Sequence, residues 1–225
     1  MITYLKSEMS ELQTIEKSFE EALKRLEASP TRRFKQTYEI IINLEGIDVK
    51  RDAEKLSGIL KLPHPIQGLN NKVCVIAERE IASEAQKAGA DLILRRTDLE
   101  KLQGNKRELK KIARNYKYFL AQPDLMPLVG KLLGAYLGSR GKLPQVIAPN
   151  VAVDKIINDL KQSIRLRIKG QPVISCAFGK EGMDLKSLKE NAFTIIEEIN
   201  KRIAGKGRIT SIYIKKTMSE PVRIK

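Results

Sequence analysis

The chain has 225 residues, with 42 Lys and Arg against 27 Asp and Glu, a formal charge of +15. That length allows one large domain or two small ones, and the charge favours polyanions: nucleic acid or an anionic membrane surface. No stretch approaches the roughly 18 apolar residues of a membrane span, the start MITYLKSEMSEL has charges where a signal peptide needs an apolar core, and one histidine, His64, leaves no ordinary zinc ligand set.

The predicted elements begin with a helix over residues 8–28. Met9, Leu12, Ile15, Phe19, Ala22, Leu23 and Leu26 fall at steps of three and four, one apolar face, and Ser29-Pro30 ends it. FKQTYEIIINL, residues 34–44, is rich in β-branched and aromatic residues and reads as a strand. A turn and short helix follow in GIDVKRDAEKLSGIL. LPHPIQGLNN, residues 62–71, reads as a linker, and His64, between two prolines, as a turn residue rather than a catalytic base.

The grammar then changes. KVCVIA, DLILR and YKYFLA are short buried-type strands. They alternate with a helix that closes at Gly89 and a helical stretch from an N-cap at Asp98 to about Asn115. VIAPN, residues 146–150, is a candidate fourth strand. Alternation of this kind predicts a parallel sheet covered on both sides. From about Asp154 the first grammar returns. A short helix leads to IRLRIKG and PVISCAFG, two strands joined through Gly170-Gln171-Pro172. A helix then follows, capped by Asp184, with apolar positions Leu185, Leu188, Ala192, Ile195, Ile196, Ile199 and Ile203. ITSIYIKK is the last strand.

The expected architecture mixes α+β and α/β. A split α+β domain is built from residues 1–67 plus 159–225, and an α/β domain, 68–158, is inserted between them with a hinge at the two crossings. Residues 1–67 are neutral, 68–158 carry +7 and 159–225 carry +8. The excess is thus built into folded segments rather than a tail. Cys74 and Cys176 lie far apart with no CxxC partner, which fits a reducing cytoplasm.

Two features bear on chemistry. LVGKLLGAYLGSRGKLPQ, residues 128–145, resembles a phosphate loop in composition only. GxxxxGK[ST] fails because Tyr136 and Leu143 stand where Gly and Ser or Thr are needed, and GxGxxG fails at Tyr136. Gly130, Gly134 and Gly138, four apart, instead suggest a small-residue helix stripe for close packing, with Arg140 and Lys142 as ordinary cations. The second feature is IRLRIK. Strand alternation puts Arg165, Arg167 and Lys169 on one face, opposite Leu166 and Ile168. A row of three cations and a plain solvated strand face are both consistent with that pattern. RRFKQT adds Arg32, Arg33 and Lys35 around Phe34, a ring that is either core or a stacking surface for unpaired bases. No helix shows the clean basic face of a major-groove reader, which favours RNA read by shape and minor-groove contact.

FLAQPDLMPLVGKLLGAYLGSRGKLPQ, residues 119–145, and TMSEPVRIK, residues 217–225, resemble two signature regions of the ribosomal protein L-one family of the large ribosomal subunit. RRFKQTYEIIINL is similar to that family's first strand, and LPHP to its archaeal branch. The resemblance covers the whole chain. It implies a split RNA-binding α+β domain with an inserted Rossmann-like three-layer α/β domain that makes few RNA contacts of its own. It further implies binding to large-subunit rRNA in the mobile stalk near the exit site for tRNA, repression of the protein's own mRNA, a monomer when free, a cytoplasmic ribosomal location, and neither catalytic residues nor cofactors. By position, the family's RNA contacts map to Phe34, Lys35 and Thr37 and to Thr217 and Met218. Ser219 stands where most members have Gly, which puts that contact in doubt if the backbone needs positive φ. Arg165, Arg167 and Lys169 come from the strand argument. The competing expectations are a nucleotide-binding enzyme using the Rossmann-like domain and a DNA-binding repressor.

Overall fold

The computed structural model describes residues 2–69, 71–147 and 152–225, with side chains from residue 14 onward except 53–55. The chain divides into two units, Met1–Gln67 with Ile164–Lys225, and Gly68–Ser163. In chain order the first segment holds α1 (Ile2–Glu27), β1 (Thr37–Glu45), α2 (Val49–Leu56) and β2 (Gly58–Lys61). The insertion holds β3 (Val73–Ile76), α3 (Arg79–Lys87), β4 (Leu92–Leu94), α4 (Arg96–Lys101), α5 (Lys106–Asn115), β5 (Tyr118–Ala121), α6 (Met126–Gly138), β6 (Gln145–Val146) and α7 (Val153–Lys161). After it come β7 (Ser163–Leu166), β8 (Ile168–Lys169), β9 (Gln171–Lys180), α8 (Leu185–Ile203), β10 (Arg208–Lys216) and β11 (Val222–Arg223). Among the described residues no helix is long and apolar enough to cross a membrane. The side chains of Met9 and Leu12, and residues 148–150 of the expected fourth strand, lie outside what is described.

The terminal unit is built on an antiparallel sheet in the order β11-β10-β1-β9-β8. Period-two alternation sorts β1 into two faces. Tyr38, Ile40, Ile42 and Leu44 are buried. Ile40 lies between Ile214 and Cys176, and Ile42 between Ile212 and Ile174. On this face Phe19 of α1 packs at 5.9 Å from both Phe178 and Phe193, and Tyr38 at 5.8 Å from Phe178, ring separations at which aromatic pairs attract. Helix α8 buries Leu188, Ala192, Ile195, Ile196, Ile199 and Ile203, but Leu185 is exposed. The other sheet face, with Glu39, Ile41, Asn43, Ser211, Tyr213 and Lys215, is half-buried. β2 and β7 form a separate two-stranded sheet; β2, four residues without alternation, was not expected.

The inserted unit is a parallel sheet, β4-β3-β5-β6. One face, with Cys74, Ile76, Leu94, Phe119 and Ala121, packs on Leu99, Leu109, Ile112, Val129, Leu133 and Leu137 of α4, α5 and α6. Helices α3 and α7 pack on each other and against β3. This is the three-layer arrangement.

Three local expectations are corrected. The helical stretch 98–115 is two helices. Gly104, at φ +85°, breaks it, and Asn105 starts α5 by accepting the Glu108 N–H at 3.2 Å. Asp98 is not the cap of α4; it lies inside the first turn and accepts the Arg95 N–H at 3.0 Å. The second crossing falls at 163/164 rather than at 158/159. The reason is a polar clamp. Asn71 donates to the carbonyls of Lys161 and Ser163, both at 2.8 Å, and the Tyr118 hydroxyl donates to Ser163 O at 2.8 Å. Lys161 donates to Gly89 O at 2.6 Å. Helix α7 is thereby held in the inserted unit, although its sequence resembles the terminal one.

The glycine stripe also differs from expectation. A Cβ added at Gly130, Gly134 or Gly138 would meet nothing within 4 Å. The stripe lies toward open space, and Val129, Leu133 and Leu137 do the packing.

Candidate nucleic-acid interface

The segment 32–37 and the turn after β10 meet at one end of the five-stranded sheet. Tyr38 pairs with Lys216, so the next residues, Thr37 and Thr217, adjoin. The Thr37 N–H donates to Thr217 Oγ1 at 3.1 Å, and the Thr217 N–H to Thr37 O at 3.0 Å. Phe34 is 51% exposed and Met218 58% exposed. Both are large apolar side chains with no place in the core. Arg32, Arg33, Lys35 and Thr217 are exposed beside them. The stacking alternative for Phe34 is therefore the one its geometry permits, and the core alternative is excluded.

Beneath this surface lies a polar network that sequence reasoning missed. Gln36 is 1% and Lys216 4% exposed. Glu181 joins them. Its carboxylate accepts from the Gln36 N–H at 2.8 Å and from Lys216 Nζ at 3.0 Å, and Gln36 Nε2 donates to it at 3.3 Å. The Glu181 N–H returns a bond to Gln36 O at 2.9 Å. Gln36 Oε1 then accepts the Met218 N–H at 3.0 Å. Burial alone would raise the Glu181 pKa; the Gln36 N–H and the Lys216 ammonium outweigh it and hold the carboxyl below its usual range. Tyr38, with the Lys216 ammonium 5.8 Å from its ring centre, is pushed up to about 12 by burial, then by Glu27 and Glu181. One ionic cluster thus fixes two surface segments 180 residues apart in sequence. The available signal was the alternation Ile212, Ile214, Lys216, which puts a lysine on the core face.

Ser219 needs no left-handed backbone: among the described residues Arg79 is the non-glycine residue at positive φ. Its hydroxyl accepts the Lys216 N–H at 2.8 Å, and its own N–H donates to Lys216 O at 3.1 Å, closing the turn. Two further lysines border the surface. Lys180 is the register partner of Thr37, and Lys215 that of Glu39.

Arg165, Arg167 and Lys169 are not brought to this end. The expected single strand is broken at Arg167. β7 pairs with β2, while β8 pairs with β9. Leu166 and Ile168 are buried as expected, but Arg165 and Arg167 are half-buried and Lys169 alone is exposed. Lys169 pairs with Gln171, at the opposite end of β9 from Lys180, about 30 Å away at ~3.3 Å per residue.

The lysine of the glycine-rich loop has another task. Lys142 Nζ donates to Ala113 O at 2.8 Å and Tyr116 O at 2.6 Å, satisfying carbonyls at the C-terminal end of α5. His64 is also placed. Its Nε2 lies 2.6 Å from Glu190 Oε2, and buried Asn191 bonds both its N–H and its carbonyl.

The model of the ribosomal protein L1p/L10e family matches residues 23–220. The chain is 46% identical to the large ribosomal subunit protein uL1 of Thermofilum pendens over 92% of both chains. It is 40% identical to that of Methanopyrus kandleri over 94% of this chain and 98% of the relative. With the protein of the same name from Methanothermobacter thermautotrophicus it shares 37% identity, over 91% and 97%. The family is a structural one rather than a family of enzymes. A match that spans both segments of the terminal unit and all of the insertion places this chain in the ribosomal protein L1p/L10e family.

Proposed function

We propose that this chain is a component of the large ribosomal subunit, in the cytoplasm, and that its terminal unit binds rRNA through the surface around Phe34, Lys35, Thr37, Thr217 and Met218. In this reading it forms the mobile stalk near the exit site for tRNA, and the same surface represses its own mRNA. The observation that carries the reading is the pair of exposed apolar side chains, Phe34 and Met218, held over a rigid ionic base and ringed by cations. Phe34 offers a face on which a base stacks, and the threonine hydroxyls suit 2′-hydroxyls. Lys35, Lys180 and Lys215 neutralise phosphates and release counterions. Ser219 contributes through its turn, its hydroxyl being committed to Lys216. Arg165, Arg167 and Lys169 lie apart from this surface and form a separate contact in this reading.

The test is titration of an rRNA stalk fragment at two salt concentrations. Phe34→Ala and Met218→Ala each weaken binding by about tenfold, a stacking-sized loss, with the salt slope unchanged. Lys35→Ala lowers the slope of log K against log salt by a little under one. Wild-type affinity in both apolar variants would remove this surface from the account. A fragment of the protein's own mRNA competes for the same site; binding of both RNAs at once would separate repression from rRNA recognition.

A further inference from the structure

Helix α5, KRELKKIARN, has five cations and one acid in ten residues. At 100° per residue, Lys106, Lys110, Arg114, Arg107 and Lys111 follow one another around about 140° of its circumference. All five are exposed. Leu109, Ile112 and Ala113, outside this arc, are buried in the core of the inserted unit. The one acid, Glu108, lies at the margin of this arc. It pairs with Lys111 at 3.7 Å and borders the groove shared with Asp98 and Lys101.

Such a face costs helix stability. Lys106–Lys110, Arg107–Lys111 and Lys110–Arg114 are like-charge pairs at i,i+4, each unfavourable by about 0.2–0.5 kcal/mol. Lys106 and Arg107 also sit at the N-terminal end, where the helix dipole disfavours cations. The ends offset this: Asn105 caps the start and Lys142 satisfies carbonyls at the finish. The other described helices that carry several charges mix the signs. α3 has Arg79, Glu80, Glu84 and Lys87, and α7 has Asp154, Lys155, Asp159 and Lys161. A merely solvated face would be expected to look like those.

We propose that the α5 face is a second polyanion-binding surface, on the inserted unit, whose partner is the sugar-phosphate backbone of double-helical RNA. Five cations along about 15 Å of helix meet the dense phosphate charge of a duplex. A membrane fits less well, because a helix that lies on lipid presents an apolar face to it, and the apolar face of α5 is already buried. The proposal departs from the expectation that the inserted unit makes few RNA contacts. It also departs from the expectation that no helix shows the clean basic face of a major-groove reader. It does not depend on the terminal surface.

The experiment compares two triple variants of the full chain. One is Arg107→Gln/Lys110→Gln/Arg114→Gln. The other removes the same charge from exposed positions elsewhere in the unit, Arg79→Gln/Lys87→Gln/Lys131→Gln. The probe is a random-sequence RNA duplex, titrated over a range of salt. The α5 variant is expected to bind at least tenfold more weakly at low salt, with the slope of log K against log salt reduced by between two and three units, about 0.9 per contact. The scattered variant loses less than threefold. Equal losses in the two would reduce the effect to net charge and overturn the proposal. So would an α5 variant that keeps wild-type RNA affinity but no longer binds phosphatidylserine vesicles or polyglutamate. Misfolding does not confuse the result, because relief of the like-charge pairs predicts a melting temperature no lower than wild type. Phe34→Ala and Met218→Ala leave this duplex titration unchanged, so failure here and failure of the rRNA reading are distinguishable.

Discussion

The Glu181–Lys216 pair makes an asymmetric prediction. Its ammonium–carboxylate distance is 3.0 Å, with side-chain exposures of 5% for Lys216 and 24% for Glu181. Glu181→Gln keeps volume and most hydrogen bonds but leaves a buried ammonium without its counter-charge. Loss of one partner of a buried pair costs 3–5 kcal/mol, and the partial exposure of Glu181 puts the expectation at the lower end, about 3 kcal/mol. Lys216→Met removes the buried charge itself. Methionine fills a similar length beside Tyr38, and Glu181 keeps the Gln36 N–H and some water, so the expected cost is about 1 kcal/mol. The assay is hydrogen exchange of β1 and β10 peptides under rising urea, which reads the terminal unit separately from the insertion. Equal losses, or a larger loss in Lys216→Met, would refute the reasoning. The pH dependence has a definite sign. The Glu181 carboxyl is held below its ordinary value in the fold, so its contribution is fully present above the unfolded value, roughly 4.3. It disappears as pH falls through the lower, folded value. The gap between wild type and Glu181→Gln therefore stays constant from pH 6 to 8 and closes below about 4.

Gly134→Ala is expected to stabilise the inserted unit by up to about 1 kcal/mol, the helix-propensity difference, because the new methyl meets nothing within 4 Å; a lowered melting temperature would contradict this. Asn191→Leu should destabilise the terminal unit by about 2–4 kcal/mol, since it orphans the His64 N–H and the His64 and Phe178 carbonyls, seen as faster proteolysis around His64. Lys142→Met should cost about 1 kcal/mol by uncapping α5, with accelerated exchange confined to the end of that helix.

The long amphipathic elements were legible because period alone determines their faces. Ile40, Ile42, Ile212 and Ile214 announce a one-sided sheet, and α8 a one-sided helix. β11, two residues, carries no period to read. The break at Gly104-Asn105 was readable as a glycine followed by a capping residue, but the helical pattern on both sides hid it. Which sheet α7 joins was not readable, since an amphipathic helix does not encode its partner; Asn71 and Tyr118 decide it from far away in sequence. At the candidate interface, Phe34 and Met218 were visible as residues. Their support was not, because Gln36, Glu181 and Lys216 meet through three separate chain segments.

Strand order also dictates a timetable. The central strand β1, residues 37–45, has its neighbours at 171–180 and 208–216, so it waits unpaired while most of the chain is synthesised. The insertion, by contrast, is contiguous and its parallel sheet can close once Ser163 has left the exit tunnel. Slow, distant pairings follow local ones. The turn carrying Thr217 and Met218 is thus completed after the insertion, and a nascent chain released early would carry a finished inserted unit and no working terminal surface.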